Sequence, residues 1–511
     1  STAPAQPPAV TGAEAPEPPF PATTAADARR GAGGTPAEGP TGDFQDLLET
    51  RVAELRDDTG LTAVAVAVTV DGDLAAAAVS GERRRDSGIA VTVDDRWHMG
   101  SITKSMTATL LAVLEEDGLL SADDALTVLL PDVEMADGRS ACTPAHLMTH
   151  TAGVAANFPA ESQDVWPETA EELVAERRRF VADALATEPE SPCGERFLYS
   201  NVGYTVAGHI AETVAREPYE TLLRDRVFAP LALMSAGFGA PKGEHPDQEP
   251  LGHLVFPNGR RVPVDPFETR ADNSPLIAPA GTVHMTIGDL ARYGAAHLDG
   301  EYGSDPVLLS RSSWQRLHAP FLNGYARGWV RYERDWAGGP VIWHNGSNTL
   351  WYALLMLLPA RNMTLAFVTN DGALQVADIA FNELAQELVA LGDGLDPPNR
   401  PPQVAGTLPA VRLSGPGTTL EVDVSMAFGD PDGDPLTYTA SSSAPRVVTA
   451  RVAGARVTLT AADIGLATIE VTATDPDGLS ARQAFPVEVT ASLPDDAIRP
   501  GVTPVRAVHF T

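Results

Sequence analysis

The chain is short of lysine, cysteine and positive charge. Its 36 Lys and Arg residues include two lysines, Lys104 and Lys242. Against 68 Asp and Glu they leave a formal charge of −32. That balance excludes a nucleic-acid binder, which needs a basic footprint. An acidic surface of this kind solvates the protein and names no partner. No apolar run reaches the ~18 residues that a membrane helix needs, so no integral membrane segment is expected. No basic n-region precedes an apolar stretch at the start, so a signal peptide is absent or already removed. The two cysteines, Cys142 and Cys193, could form one disulfide of an exported protein or stay as two buried thiols; the sequence leaves both open. A G-x-S-x-G elbow is also missing, which argues against a Ser-His-Asp triad on an α/β-hydrolase sheet.

At 511 residues the chain can hold two or three domains. Residues 1–41 are rich in Pro, Ala, Gly and Glu and read as a disordered arm. From there Phe44, Leu47, Leu48, Val52 and Leu55 recur at helical spacing. Two β-prone runs then flank Asp71-Gly72, a hairpin signal. Residues 100–300 are mostly helical in pattern, and strands return over 325–372. Residues 374–391 read as an amphipathic helix. Sheet at both ends of 42–391, with helices between, predicts one antiparallel sheet flanked by helices, an α/β domain. A Pro-rich linker follows at 392–403. Short alternating runs over 404–490 predict a small all-β sandwich, and 491–511 form a tail without a clear signal.

Three elements carry chemistry. Ser101-Ile102-Thr103-Lys104 opens a long apolar helix. Residues three apart share a helix face, so the Lys104 amine reaches the Ser101 hydroxyl. A Ser hydroxyl needs its proton removed before it attacks, and a lysine removes it only when burial or a neighbouring cation keeps the amine neutral. The chain uses Arg almost everywhere else. Arg cannot deprotonate in a protein, so a retained Lys points to a neutral amine. The second element is Tyr199-Ser200-Asn201 at a helix start. Tyr199 can shuttle a proton to a leaving group, and Asn201 can hold Lys104 or a substrate carbonyl; taken alone, a packed Tyr and a helix cap explain it as well. The third is His344-Asn345-Gly346 on a strand. Gly346 would let a substrate backbone approach, and the N–H groups of Ser101 and Ser347 would form an oxyanion hole.

Together these elements resemble the serine β-lactamase and penicillin-binding family, whose motifs S-x-x-K, Y-x-N and K-or-H-x-G occur in this order. The segments TPAHLMTHTAGV and APAGTVHMTIGDLARY resemble further family text. The resemblance covers roughly 42–391. It implies acyl-enzyme chemistry through Ser101, with Lys104 and Tyr199 exchanging protons and Asn201, His344 and Gly346 positioning substrate. It implies no cofactor. D-alanyl peptides, β-lactams or esters are the expected substrates, and cell-wall peptide is a possible partner. His344 stands where class C β-lactamases carry Lys. That is more like the D-alanyl-D-alanine carboxypeptidases and related esterases, and it implies a weaker, pH-dependent grip on a substrate carboxylate. The alternatives are a small-ester esterase of the same fold and a non-catalytic binder of cell-wall peptides. The region from residue 399 onward resembles bacterial Ig-like, cadherin-like modules of secreted proteins, which implies a secreted or cell-envelope location with any signal peptide removed.

Two metal readings are weaker. His146 and His150 lie four apart, as zinc ligands can, but the catalytic Glu of H-E-x-x-H is missing. Asp430, Asp432 and Asp434 could gather oxygens for calcium, but without EF-hand spacing, and acidic turns are often only solvated. No metal site is assigned.

Overall fold

A computed structural model describes residues 40–392 and 402–491, apart from residues 246, 304–305, 431–433 and 477. Most of the expected arm, linker and tail therefore lies outside the described residues. The chain divides into two compact units, residues up to 398 and residues from 399.

In the first unit, α1 spans Pro40–Thr59, so helix begins slightly before the expected end of the arm. The hairpin strands β1 (Ala63–Val70) and β2 (Asp73–Gly81) follow. Asp71 and Gly72 both take positive φ, 53° and 89°, as a tight two-residue hairpin turn requires. The helices α2 (Thr103–Glu116), α3 (Asn201–Ala215) and α4 (Ile287–Tyr302) lie in the middle of the chain. The chain then returns to the sheet as β3 (Val330–Arg334), β4 (Gly339–Ser347), β5 (Tyr352–Leu358) and β6 (Met363–Thr369). It closes with α5 (Leu374–Gly392). The strands form one antiparallel sheet in the order β2-β1-β6-β5-β4-β3.

Both faces of this sheet are covered, and β1 shows how. Its sequence, AVAVAVTV, alternates in size rather than in polarity. Val64, Val66 and Val68 join a core with Phe44, Leu48 and Val52 of α1 and Phe381 and Leu384 of α5. Ala63, Ala65 and Ala67 turn to the opposite core, with Leu290 and Ala291 of α4. A strand sends successive side chains to opposite faces, so the small residues let α4 pack close while the larger ones fill the other layer.

The second unit is all-β. One sheet orders β7 (Val411–Ser414), β13 (Ser480–Thr490), β12 (Gly465–Thr474) and β9 (Thr437–Ser442); the other orders β8 (Thr419–Asp423), β11 (Arg456–Ala461) and β10 (Val448–Ala453). Val424, Val448, Leu459, Ile469 and Phe485 fill its core. The all-β, Ig-like reading of this region holds. Asp432 lies outside the described residues, and no cluster of three or more His, Cys, Asp or Glu able to hold a metal occurs among the described ones.

Candidate active site

The nucleophile segment is forced into place by its backbone. Gly100 has φ +49°, a left-handed conformation that side chains other than glycine resist. It starts a 3-10 turn, Gly100–Ile102, that runs into α2. Ser101 thus sits one turn before the α-helix proper rather than in it. Every residue of α2 from Thr103 to Leu114 is buried, and its five polar side chains, Lys104 among them, have internal hydrogen-bond partners.

Lys104 is fully buried. Its Nζ lies 3.0 Å from Ser101 Oγ, 2.7 Å from Asn201 Oδ1 and 2.7 Å from the Ala280 carbonyl. All three partners are neutral, and burial drives the amine pKa well below that of an ordinary lysine because desolvation penalises the charged form. A neutral amine has two N–H groups and one lone pair. Asn201 and Ala280 offer acceptors for the two N–H groups, which leaves the lone pair for the Ser101 hydroxyl. Asn201 is itself held, since its Nδ2 donates to Asn157 Oδ1 at 2.7 Å. Its part is to orient the amine.

Tyr199 reaches Ser101 from the other side. Burial raises its pKa, and its hydrogen bond to Ser101 opposes that only in part. The phenol is therefore neutral, able to pass a proton but poor as a standing base. Lys104 Nζ lies 4.8 Å from the Tyr199 ring centre. His150 sets this tyrosine. Its backbone carbonyl accepts from Leu198 N at 2.7 Å, its Nδ1 accepts from Ser200 N at 3.0 Å, and its ring lies 4.2 Å from that of Tyr199, tilted by 37°. The helix carrying His146 ends at Met148, and His150 lies beyond it at φ +58°. His146 instead caps that helix through Thr143. The shared helix face that a zinc pair would need is absent.

The third element differs from expectation in two ways. An ideal Cβ on Gly346 would overlap Met99 O and lie 2.5 Å from Ser101 N, and one on Gly100 would overlap Ser347 N. The missing side chain thus lets β4 close on the nucleophile turn, where the expectation was approach of a substrate backbone. The same packing places Ser101 and Ser347 together in the lining of one cavity. His344, secondly, is no cation. Burial and the nearby Lys104 push its pKa down to about 3. Its Nδ1 lies 2.5 Å from the Asn345 carbonyl and its Nε2 3.0 Å from the Tyr325 hydroxyl. The ring is neutral across the physiological range, with both nitrogens engaged, so the pH-dependent grip on a carboxylate does not arise.

A cavity of about 380 Å³ opens at this point, lined by Ser101, Tyr199, His344, Gly346 and Ser347 among others. Beside it, β3 pairs with β4 only as far as Trp343, so among the described residues no strand pairs with the outer edge of β4 from His344 to Ser347, the side away from β5. Cys142 and Cys193 form a disulfide, with Cα atoms 5.4 Å apart. It ties the segment before the His146 helix to the loop that leads to Tyr199.

The Beta-lactamase family model matches residues 48–388. The chain belongs to the β-lactamase family. A bacterial Ig domain model matches residues 399–488. Penicillin-binding protein 4 of Amycolatopsis lactamdurans is 30% identical over 356 residues, covering 67% of this chain and 88% of that protein. The D-alanyl-D-alanine-carboxypeptidase/endopeptidase AmpH of Escherichia coli is 23% identical over 368 residues, 67% of this chain and 89% of that one. Among solved structures, the β-lactamase/D-alanine carboxypeptidase from Pseudomonas syringae aligns with a TM-score of 0.55 at 19% identity, covering 67% of this chain and 99% of that one; at that identity the likeness is one of fold. Family membership supports a function of the serine-hydrolase type in broad terms. Of the residues singled out from the sequence, Ser101, Tyr199, His344, Gly346 and Ser347 line one cavity, and Lys104 contacts Ser101 and Asn201. Sequence reasoning missed the Ala280 carbonyl, Asn157 and Tyr325. Ala280 lies in the segment that resembles family text, but a backbone carbonyl leaves no residue-type signal.

Proposed function

We propose that the first unit hydrolyses small acyl substrates through a covalent acyl-enzyme on Ser101, with D-alanyl peptides, β-lactams and esters as the substrate classes. The observation that carries this is the buried Lys104 amine at 3.0 Å from Ser101 Oγ, with burial driving its pKa well below that of an ordinary lysine. Lys104 takes the hydroxyl proton as Ser101 attacks the carbonyl. The amides of Ser101 and Ser347 stabilise the oxyanion. Tyr199 hands a proton to the leaving group, and water then releases the acyl group by the reverse relay. The unpaired edge of β4 offers backbone groups to an extended substrate. The protein acts outside the cytoplasm, where cell-wall peptide is a candidate substrate, and the Ig-like unit and the disulfide fit that setting.

A panel of penicillins, D-Ala-D-Ala peptides and short thioesters tests this, with intact-mass detection of the acyl adduct. The expected result is an adduct on Ser101 and turnover of at least one class, both abolished in Ser101→Ala. A wild-type protein that neither acylates nor turns over any class overturns the proposal.

A further inference from the structure

The cavity beside Ser101 does not end at the catalytic groups. Its lining also includes Trp343, Tyr352, Gln375 and Asp378. Among the described residues no Lys or Arg lines it, and His344, the one histidine there, is neutral. Lys104 lies behind Ser101 with its three hydrogen-bond directions taken up. Asp378 is the one carboxylate in the lining. A chain of hydrogen bonds holds it there. Asn345 Nδ2 donates to the Tyr352 hydroxyl at 3.2 Å, and that hydroxyl donates in turn to Asp378 Oδ1. Because Asn345 occupies an acceptor position on Tyr352, the phenolic proton is committed to the carboxylate, which favours the ionised acid. The same Asn345 stands between His344 and Gly346 on β4, so the chain starts at the catalytic strand and ends on α5.

A half-buried carboxylate next to two aromatic side chains is chemistry for a cation. The charge attracts an ammonium group directly, and the faces of Trp343 and Tyr352 offer it a weaker second contact. The same wall opposes a substrate carboxylate, which would lose water and meet a like charge with no Lys or Arg to pair with. We infer that Asp378 is the specificity-determining residue of this site, selecting small acyl substrates that carry an ammonium group near the scissile carbonyl and disfavouring those with a free carboxylate there. The inference rests on the acyl-enzyme reading and narrows it. Among the proposed classes, aminoacyl esters and amides gain, and peptides or lactams with a carboxylate beside the reacting bond lose. Asp378 acts on binding and takes no part in proton transfer. Burial raises its pKa, and a bound ammonium would lower it again.

The test uses two series of thioesters on the full chain. In one, the acyl part is alanyl with a free amine, N-acetylated or N-succinylated, in both configurations, on a common benzyl thiol. In the other, an acetyl group is carried by a leaving thiol that ends in an amine, an alcohol or a carboxylate. The neutral members report acyl transfer by itself, so their failure to react counts against the acyl-enzyme reading and not against Asp378. The expected order of kcat/KM in at least one series is ammonium, neutral, carboxylate, each step roughly tenfold, the scale that close charge pairs supply at binding sites. Raising the salt concentration should compress that order in the wild type, and Asp378→Asn should compress it further, mainly through KM. The salt series keeps the test decisive should the variant fold poorly. Neutral members that turn over as fast as ammonium members in both series, or a preference for carboxylate in either, would overturn the inference.

Discussion

The central strands of the first unit and the strands of the second are built on opposite rules. β5 and β6 are buried at all seven positions of each, because helices cover both faces of their sheet. β12 alternates between inward and outward residues along most of its length, because a two-sheet sandwich leaves one face of each sheet in water. The difference reaches the polar groups. The first unit buries Lys104, His150 and His344, while among the described residues of the second the buried polar group is Asp475. A thick, doubly covered sheet can desolvate a lysine and hold it against a serine. A thin sandwich of about 90 residues has little interior in which to do so.

A large effect is expected at the contact that joins β4 to the nucleophile turn. Gly346→Ala places a methyl against Met99 O and Ser101 N. Either the strand or the turn must shift, so acylation should fall on the order of 10²–10³-fold, the cost of losing an oxyanion donor. The readout is the rate of Ser101 labelling by an activated thioester, with circular dichroism to establish folding. A folded variant that labels at the wild-type rate would break the proposed link between close packing and the oxyanion gap.

A smaller effect belongs to the sandwich. Ile469 is fully buried in its core, and Ile469→Ala should cost that unit ~2–4 kcal/mol. Calorimetry should show the transition of the second unit moving down, while the labelling rate of Ser101 stays within twofold. A parallel loss of labelling would mean that the sandwich contributes to the site, contrary to the contrast drawn between the units.

The same contrast explains what was legible in the sequence. Alternation in the sandwich exposed its strands directly, and Asp71-Gly72 marked the first hairpin. The motifs at 101, 199 and 344 located the site because each combines a reactive side chain with a fixed spacing. What stayed hidden depends on burial. His344 read as a titrating residue because its sequence neighbours say nothing of the Tyr325 hydroxyl and the buried Lys104 beside it. Gly346 read as a substrate contact because the turn that packs on it lies 245 residues earlier in the chain. Asp378 lies within the stretch that read only as an amphipathic helix, and only the fold places it in the cavity that Ser101 lines. The disulfide was left open because distance between cysteines is a property of the fold.

The central claim is that Lys104 is the base, and Lys104→Arg tests it most directly. The substitution keeps a positively chargeable group but removes any neutral form, since guanidinium stays protonated above pH ~12. The measurement is the rate of covalent labelling of Ser101 by a reactive penicillin or thioester across pH, in wild type and variant, with folding followed in parallel. In the wild type, labelling should fall as pH drops through the depressed pKa of the amine, because the ammonium form has no lone pair to accept the proton. In a folded Arg variant it should be lower by ~10²–10⁴-fold, the usual weight of a general base, and no pH in the accessible range should restore it. Labelling within a few-fold of wild type would contradict the account, because the Ser101 proton would then be leaving by way of Tyr199 alone.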